Sequence, residues 1–586
     1  MCGITAIIGN DKNLSENINK MTSVLQHRGP DFYQTITLKK NIAFGHTRLK
    51  IIDLDNRSNQ PMERNGIHIV YNGEIYNYLE IKKEINDFEF KTSSDTEIII
   101  AAYLKWGDKC VEKFSGMFAF ILWDSRKKIF FCSRDRLGIK PLYFFKSKNA
   151  IYLASEIKSI LQISKGTINE KIIYLYLKHK IYEFEGETFF KNIYELRAGE
   201  NLYIKNGTIK KKKYWDLFDV IKKNESNGLI SNNKQVYEEL NQNLDYISKI
   251  YLRSDVKNGI HLSSGIDSNF LYNLFSVEKN KKINSILTWA YKSLNKQDSD
   301  FLRKDFKRKE IHKFVYINHK DFWNNLEDIQ YTQEMPFGGL GPFFRMALDK
   351  CAKKENVKVV LEGQGADELF GGYKKYLFPL LKKGLKNEFY DLKGNSTHYD
   401  MSNYGVSLIS EKFNSKFKYL DDEIKLELPS KNDFTNHRYL DIKFMRIPRN
   451  MRFNDRSSMK YGVEMRVPFF EHKFVEFAFN IKPELHYQKN TLKYFLRTLK
   501  MPGYQEFKKR EKLYLQTPQT EWFKKFYKEK IYKIFEDNVL YKLSYIDKSK
   551  AQKYCHNFFK EKFSENSFGI WQIINLDVWI KKFKIS

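Results

Sequence analysis

The chain has 586 residues and a formal net charge of +30, and 42% of its residues are hydrophobic. At this length we expect two or more domains, and the hydrophobic content excludes global disorder. The longest apolar run, residues 116–123, is far shorter than the roughly 18 residues of a membrane span. A polar stretch at residues 10–13 argues against a signal peptide. Five cysteines are too few for a disulfide scaffold, and none pair at metal-ligand spacing, so we expect a cytoplasmic protein.

The positive charge could indicate nucleic acid or an anionic membrane surface as a partner. Lysine is instead spread along the chain, and residues 210–213 form the only clear basic block. A binding footprint would be clustered, so we expect no nucleic-acid partner. A basic binding protein that retains an inactive enzyme fold is the alternative from a different functional class.

The first 205 residues are predicted to be rich in β-structure. Short apolar or aromatic runs separated by turn residues occur at residues 4–8, 42–52, 68–71, 118–123 and 128–132. Residues 124–127 are typical of a hairpin loop, and residues 95–106 have the spacing of a helix with one buried face. This mixture indicates layers of strands and helices in an α+β domain.

A polar segment rich in lysine and asparagine, residues 206–233, is predicted to be a linker between domains 2–205 and 234–586. After it, strands and helices alternate. Strands are predicted at residues 259–262, 282–289 and 357–361, and helices at residues 235–252 and 343–354. Alternation favours a parallel sheet covered by helices, with a mostly helical region from residue 411 onward.

Cys2 is a candidate nucleophile, because removal of Met1 would place it at the amino terminus. An N-terminal cysteine carries its own base, since its α-amine has a pKa near 7.7–8.0 and can accept the thiol proton. The alternative is a buried cysteine that only packs.

Four further segments accompany Cys2. They are Arg28-Gly29-Pro30-Asp31, Gly45-His46-Thr47-Arg48-Leu49, Asn72-Gly73-Glu74 and Ser94-Asp95. Each has a purely local alternative, such as a turn for Asn72-Gly73 or a helix cap for Asp95. Together with Cys2 they resemble the class II glutamine amidotransferase domain over about residues 2–200, which implies an αββα sandwich of antiparallel sheets.

By that resemblance Cys2 attacks the side-chain amide of glutamine, and the Asn72 side chain and Gly73 N–H stabilise the oxyanion. Arg48 would pair with the α-carboxylate, where a planar guanidinium suits bidentate contact. The residues implied to hold the ammonium end of glutamine are Glu74 and Asp95. The turn at residues 28–31 resembles the family loop that closes over the site.

Two glycine- and serine-rich segments mark the second half. They are Leu262-Ser263-Ser264-Gly265-Ile266-Asp267-Ser268 and Leu361-Glu362-Gly363-Gln364-Gly365-Ala366-Asp367-Glu368-Leu369-Phe370-Gly371-Gly372-Tyr373. Each follows a predicted strand, and small residues before a helix let backbone N–H groups cradle an anion. We expect both at one sheet edge. The alternative for the second is a glycine-rich turn.

The two segments resemble the ATP-pyrophosphatase domain of asparagine synthetases. Further matches are Arg452, Asp455-Arg456-Ser457-Ser458-Met459, Glu464-Met465-Arg466-Val467-Pro468-Phe469, Lys493, Arg497, Arg510-Glu511-Lys512, Pro518 and Trp522. This resemblance implies a doubly wound α/β domain with helical additions. With the first domain it covers most of the chain in the family's domain order.

The resemblance implies ATP as co-substrate and Mg²⁺ as cofactor. The residues implied to bind ATP are Leu262, Ser263, Ser264, Gly265, Asp267, Ser268, Glu362 and Gly363. Asp267 and Asp367 would hold Mg²⁺, which prefers carboxylate and phosphate oxygens. Lys512 would stabilise charge on the acceptor carboxylate as it is adenylated.

The implied reaction joins two half-reactions. Glutamine is hydrolysed to glutamate and ammonia, which reaches an acyl-adenylate through an interdomain tunnel and leaves an amide and AMP. Aspartate is the expected acceptor. Three departures from the family's usual motifs, Ser264, Glu362 and Gln364, together with Leu513-Tyr514, leave open another carboxylate, such as a sugar uronic acid in surface-polysaccharide synthesis. A homodimer also remains open.

Overall fold

The computed structural model describes residues 1–276, 283–290, 311–373, 375–376, 408–423, 427–500, 517–560 and 566–585. In these residues the strands, in chain order, are β1 Cys2–Gly9, β2 Phe32–Lys39, β3 Ile42–Arg48, β4 Met62–Arg64, β5 Ile67–Ile75, β6 Gly116–Asp124, β7 Ile129–Arg134, β8 Tyr143–Lys146, β9 Ala150–Ala154, β10 Ile193–Glu195, β11 Glu200–Lys205, β12 Thr208–Lys213, β13 Asn258–His261, β14 Ile283–Ala290, β15 His312–Tyr316, β16 Val359–Leu361 and β17 Glu464–Arg466.

Helices connect and cover these strands. The α-helices are α1 Leu14–Ser23, α2 Tyr78–Glu84, α3 Asp95–Trp106, α4 Cys110–Lys113, α5 Ile157–Ile160, α6 Glu170–His179, α7 Leu217–Asn227, α8 Asn233–Ile250, α9 Ile266–Ser276, α10 His319–Asn324, α11 Leu326–Gln333, α12 Gly341–Lys354, α13 Ala366–Phe370, α14 Glu411–Phe417, α15 Leu420–Glu423, α16 Asp433–Leu440, α17 Ile447–Met459, α18 His472–Ala478, α19 Tyr494–Thr498, α20 Gln519–Phe526, α21 Lys528–Glu536, α22 Val539–Lys542, α23 Lys548–Phe559 and α24 Ser567–Phe583. Shorter 3-10 turns lie at Asn56–Ser58, Gly107–Lys109, Pro468–Phe470 and Pro483–His486, and a π-helical turn lies at Asp441–Met445.

The N-terminal half is a sandwich of two antiparallel sheets. One sheet has the order β10-β8-β9-β1-β3-β2 and the other the order β12-β11-β7-β6-β5-β4. Side chains from both sheets, including Ile4, Phe44, Val70 and Ile121, share one buried core, because alternate residues of each strand face the opposite sheet. Helix α1 covers the outside of the first sheet and α3 the outside of the second. The αββα prediction is therefore confirmed.

The C-terminal half contains a five-stranded parallel sheet with the order β15-β14-β13-β16-β17. Helix α12 packs on one face, and α8 and α9 pack on the other, which confirms a doubly wound arrangement. The chain moves outward from β13 through β14 to β15, and then returns to β16 on the other side of β13. Such a reversal opens a crevice at the carboxyl ends of the two central strands, where ligands bind in this class of fold.

Segment 206–233, expected as a linker, contains strand β12 and helix α7. Strand β12 is the edge strand of the second sheet, and Lys210, Lys211, Lys212 and Lys213 lie along it. Lysine side chains on an edge strand discourage pairing with other chains. The composition of β12 is therefore polar and similar to that of a linker. The predicted helix at residues 95–106 coincides with α3.

The two halves share buried structure. Trp579 of α24 packs edge-to-face against Phe189 and Phe190 of the N-terminal half, and its indole N–H donates to the Glu334 carbonyl at 2.8 Å. In the described part of the chain, no helix is long and apolar enough to cross a membrane. All five cysteines are free thiols.

Candidate active sites

Cys2 begins β1 and lies opposite Arg48 of β3 in the antiparallel register. Its side chain is buried, and burial raises the pKa of the thiol. The Cys2 backbone N–H donates to Asn72 Oδ1 at 3.0 Å. A buried neutral thiol needs a nearby base, and an α-amine on Cys2 itself would supply one.

Met1 is also buried, and its α-amine lies 3.5 Å from Glu464 Oε2 at the start of β17 in the C-terminal half. Glu464 also accepts from Arg466 Nε at 2.6 Å. The amino terminus therefore lies against the parallel sheet rather than at the free surface, and residues of both halves surround the Cys2 site.

Asn72 and Gly73 lie in the middle of β5. Asn72 Nδ2 is buried and has no hydrogen-bond partner among the described residues. A buried, unpaired amide donor is costly, and a ligand oxygen would satisfy it. Gly73 has φ +153°, and a Cβ there would lie 2.1 Å from the Met117 carbonyl oxygen. A larger residue would push the strand apart at this point.

Arg48 is fixed by the loop that follows β3. Its Nη1 donates to the Asp55 carbonyl at 2.8 Å and to Asn59 Oδ1 at 2.7 Å, and its Nη2 donates to the Asp53 carbonyl. A guanidinium has five N–H donors, so these three bonds leave two for a ligand carboxylate. The loop thus orients Arg48 without saturating it.

Glu74 and Asp95 are both buried near Cys2. Asp95 Oδ2 accepts from the Tyr71 hydroxyl at 2.8 Å and from the Ile75 N–H at 3.0 Å. Ser94, not Asp95, caps helix α3, because its hydroxyl accepts from the Thr96 N–H at 3.1 Å. Asp95 therefore does not serve as the N-cap of this helix.

The Glu74 carboxyl has a strongly altered environment. Burial, reinforced by the charges of Glu464 and Asp95, raises its pKa. Arg466 Nη2 lies 3.7 Å from Glu74 Oε1, while Glu74 Oε2 has no hydrogen-bond partner among the described residues. An ammonium group beside Glu74 would lower the cost of ionising it.

Arg466 and Glu464 were quoted above only as parts of a motif, and the sequence assigned them no role at the Cys2 site. They stand almost four hundred residues beyond Glu74 in the chain. The available signal was their place in the segment Glu464–Phe469 that resembles the family, and that resemblance named no partner for them.

In the C-terminal half, the segment after β13 forms a tight loop at the carboxyl edge of the sheet. Ser268 Oγ accepts from the Ser263 N–H at 3.0 Å, and Ser263 Oγ accepts from the Gly265 N–H at 3.1 Å. Asn269 Nδ2 donates to the Ser263 and Gly265 carbonyls at 2.8 and 2.7 Å. Ser264 lies at the tip between them, and Leu262 is buried below. Hydrogen bonds among its own residues therefore fix the conformation of this loop.

The second motif follows β16, which pairs with β13 in parallel, so both segments lie at one sheet edge as expected. Gly363 packs directly on the first loop, since a Cβ there would lie 2.8 Å from the Ser268 nitrogen and 2.9 Å from the Asp267 carbonyl carbon. The glycine is required by this close approach.

The carboxylates of Asp267 and Asp367 both contact the ammonium group of Lys493. Lys493 Nζ lies 2.5 Å from Asp267 Oδ1 and 2.6 Å from Asp367 Oδ1. Two carboxylates within reach of the same point fit a Mg²⁺ ion, which often takes one or two carboxylates together with substrate phosphates. No group of three or more His, Cys, Asp or Glu gathers as a metal site in the described ranges. The residues present fit the ion only as a partial ligand set.

Two of the departures from the family motifs, Glu362 and Gln364, lie in one cluster with Asn454. Asn454 Nδ2 donates to Gln364 Oε1 at 2.6 Å and to Glu362 Oε2 at 3.2 Å. Glu362 also forms an ion pair with Arg345 of α12, which is buried. Arg345 could not be recognised from the sequence, because nothing distinguishes it from the many other charged residues of the chain.

Behind this cluster, burial raises the pKa of Asp349 to about 7, although the Arg345 charge opposes the rise. Arg345 Nε lies 3.4 Å from Asp349 Oδ2. The Glu362 carboxylate, one of the departures from the family motifs, is thus held by a buried arginine.

Lys512 lies outside the described residues, as do Arg510, Glu511 and the departures Leu513 and Tyr514. Trp522, a motif residue beyond them, is buried on α20, and Arg497 donates through Nε to the Leu492 carbonyl at 2.9 Å. The role of Lys512 remains a prediction.

Fold and sites together define a protein with an amidotransferase-type sandwich joined to a parallel-sheet domain that carries a serine- and glycine-rich loop at its switch point. A family model described as a glutamine amidotransferase domain matches residues 1–215, and one described as asparagine synthase matches residues 239–581. The chain belongs to the asparagine synthase family, whose members use ATP.

Curated relatives agree with this assignment and leave the acceptor open. A putative glutamine-hydrolyzing asparagine synthetase 2 of Methanocaldococcus jannaschii is 35% identical over 64% of this chain and 76% of that protein. The glutamine-hydrolyzing asparagine synthetase 1 of Bacillus subtilis is 26% identical over 99% of this chain and 96% of that protein. A Gibberella zeae protein named amidase chry2 is 31% identical over 64% of this chain and 59% of that protein.

Proposed function

We propose that this protein transfers the amide nitrogen of glutamine to a carboxylate that ATP has activated as an acyl-adenylate. Aspartate is the first acceptor to test, with asparagine, glutamate, AMP and pyrophosphate as products. The single observation that carries the proposal is the buried, unpaired Asn72 Nδ2 beside Cys2, in a chain that also carries the loop at residues 263–268.

In the glutaminase half, the Cys2 thiol loses its proton to the α-amine and attacks the side-chain amide of glutamine. Asn72 Nδ2 and the Gly73 N–H stabilise the oxyanion of the tetrahedral intermediate. Arg48 binds the α-carboxylate through its two remaining donors. The site excludes water, because Cys2, Asn72 and Gly73 all lie in buried strands.

The ammonium end of glutamine would rest between Glu74 and Asp95. Both carboxyls are buried, and burial raises the pKa of each, so a cation is the partner that favours their ionised form. This requirement separates glutamine from simple amides, which lack the ammonium group.

In the synthetase half, the Ser264 N–H and the N–H groups at the start of α9 bind the phosphates of ATP, since the Ser263 and Gly265 N–H groups already donate within the loop. Leu262 and the backbone at Glu362 and Gly363 border the adenosine, and Asp267 and Asp367 would hold Mg²⁺ beside the phosphates. The ion supplies charge neutralisation when bound. Lys512 is proposed to stabilise the negative charge that develops when the acceptor carboxylate attacks the α-phosphate of ATP.

A second acceptor class is favoured by the Arg345–Glu362 pair. A free amino acid such as aspartate brings an ammonium group that needs an anion. Glu362 is already paired with Arg345, and Gln364 is neutral, so the loop supports a carboxylate without an ammonium group, such as a sugar uronic acid. The same chemistry would then make an amidated sugar.

The deciding experiment is a screen for AMP release with glutamine, MgATP and either aspartate or a panel of uronic acids. Asparagine formation with aspartate supports the first acceptor, and AMP release with a uronic acid supports the second. No AMP release with any carboxylate, together with no glutamate formed from glutamine, would reject the proposal.

Glu362→Gln sharpens the choice. If aspartate is the acceptor and Glu362 contacts its ammonium group, KM for aspartate rises roughly 10- to 150-fold, the equivalent of losing a charged contact of about 1.5–3 kcal/mol. Unchanged KM for aspartate excludes that contact. The matched control is Glu355→Gln, since Glu355 pairs with Lys313 on a partly exposed surface. The KM of this variant for aspartate should equal that of the wild type.

A further inference from the structure

The turn at residues 28–31 of the N-terminal half is held at both ends by the C-terminal half. Arg28 Nη1 donates to Asp455 Oδ2 at 2.9 Å and Nη2 donates to Asp455 Oδ1 at 3.2 Å. At the other end, Lys358 Nζ donates to Asp31 Oδ2 at 2.7 Å. The turn therefore takes its position from the synthetase half as well as from its own sheet.

Arg28 also contacts the residue that carries the nucleophile. Its Nε donates to the Cys2 carbonyl at 3.0 Å, and its side chain is fully buried. A first residue of a chain frays unless something holds it. Once Met1 is removed, this bond would hold the Cys2 backbone together with the pairing of β1 with β3.

The Asp455–Arg28 pair is rigid for electrostatic reasons. Asp455 is fully buried, and although burial alone would raise its pKa, Arg28 and Lys140 lower it. Two parallel N–H···O bonds between a guanidinium and a carboxylate fix both distance and plane. A buried pair of this kind is strongly disrupted when one partner is removed.

Asp455 lies on helix α17 beside Asn454, which contacts Gln364 and Glu362 of the second motif. Consecutive helical residues point about 100° apart, so one turn of α17 can reach two different sites. The same turn therefore touches the loop after β16 on one side and the Arg28 turn on the other.

We infer that Asp455, although it belongs to the synthetase half, is a positioning residue for the glutaminase nucleophile and acts through Arg28 on the Cys2 backbone. The inference rests on the proposed role of Cys2. It adds that glutamine hydrolysis depends on a residue more than four hundred positions away, through a contact between the two halves of the chain.

The test compares Asp455→Asn with Glu334→Gln. Glu334 is an equally buried carboxylate between the halves that accepts from Arg456 Nε at 2.8 Å and from the Lys158 N–H at 2.7 Å, without touching Arg28. Both variants remove one buried charge and keep the side-chain shape. Both should lower the thermal midpoint, so stability alone does not separate them.

Glutamate formation from glutamine, without ATP or acceptor, is the discriminating measurement. For Asp455→Asn we expect kcat to fall about ten- to a hundredfold, as for a slightly misplaced reacting group, with KM for glutamine within about threefold. For Glu334→Gln we expect kcat within about twofold of the wild type. Equal kcat losses in the two variants would overturn the inference.

Arg28→Lys keeps the test falsifiable if Asp455→Asn does not fold. Lysine retains a positive charge beside Asp455 but has no Nε–H to donate to the Cys2 carbonyl. We expect a fall in kcat of similar size, and unchanged kcat would overturn the inference. Absence of glutaminase activity in the wild type would instead reject the proposed function itself.

Discussion

The two candidate sites are built in different ways. Cys2, Asn72, Gly73 and Arg48 lie within or at the ends of paired strands, where the sheet ladder fixes their relative positions. The groups proposed to bind ATP lie on loops after β13 and β16, and side-chain hydrogen bonds shape the first of these loops. The difference teaches that the first site is set by strand register, whereas the second is set by packing between loops.

The charged groups differ in the same way. At the first site Glu74 and Asp95 are buried, and Glu74 lacks a close cation within the N-terminal half. At the second, Asp267 and Asp367 already meet Lys493. We therefore expect the loss of one polar group to reduce activity strongly at the first site. The second site should retain more activity after such a loss, because two carboxylates there share one cation.

The largest effect should come from Cys2→Ala, which separates the two sites completely. Glutamine-dependent synthesis should fall at least about a thousandfold, because the nucleophile is lost, while synthesis from added ammonia remains. Product formed with each nitrogen source is the measurement. The control is Cys132→Ala, a buried cysteine in the sheet core away from Cys2. A variant that still uses glutamine would remove Cys2 as nucleophile.

Asn72→Ala should lower kcat for glutamine hydrolysis about a hundred- to a thousandfold, since one oxyanion donor is removed from a water-free site. Steady-state glutamate formation measures it. Asn201→Ala, at a buried asparagine of β11, is the matched control and should leave kcat nearly unchanged. Equal losses in both variants would mean that only sheet stability was affected.

The variants Asp267→Asn and Asp367→Asn test whether the second site keeps part of its activity when one of its two carboxylates is lost. Each should slow pyrophosphate release roughly ten- to a hundredfold, with the loss partly restored at high Mg²⁺, because one carboxylate remains. Glutamate formation without ATP should not change. Asp245→Asn, on the exposed side of α8, is the control. Normal pyrophosphate release in both variants would remove the metal assignment.

The smallest effect concerns His46, which is buried in β3 opposite Ile4 and two residues before Arg48. Burial lowers its pKa to about 3, so the folded protein leaves it neutral while the unfolded chain takes up a proton below pH 6.5. Stability is therefore present above pH 6.5 and is lost as the pH falls. Between pH 7 and 5.5 the loss is about 1 kcal/mol.

His46→Gln should reduce this pH dependence of the thermal midpoint, whatever it does to the midpoint at pH 7. His556→Gln, at an exposed position of α23, should leave the dependence as in the wild type. Identical pH dependence in the wild type and His46→Gln would contradict the assignment of a neutral, buried imidazole.

Much of the architecture could be predicted because it depends on local patterns. Helix α3 follows from the spacing of its apolar residues, and the central strands follow from short apolar runs between turns. The linker prediction differed from the structure, because β12 is an edge strand with few buried side chains. A strand that buries little lacks the alternation by which strands are recognised.

The sequence by itself determined which residues could do the chemistry. The Asn72-Gly73 and Ser263–Ser268 segments are short, and their geometry follows from the turn, strand or helix that contains them. Only the tertiary structure decided which charges meet across the molecule: Glu74 with Arg466, Arg28 with Asp455, and Glu362 with Arg345. The physical reason is that the energy of an ion pair depends on distance and burial, and neither is encoded near either partner in the chain.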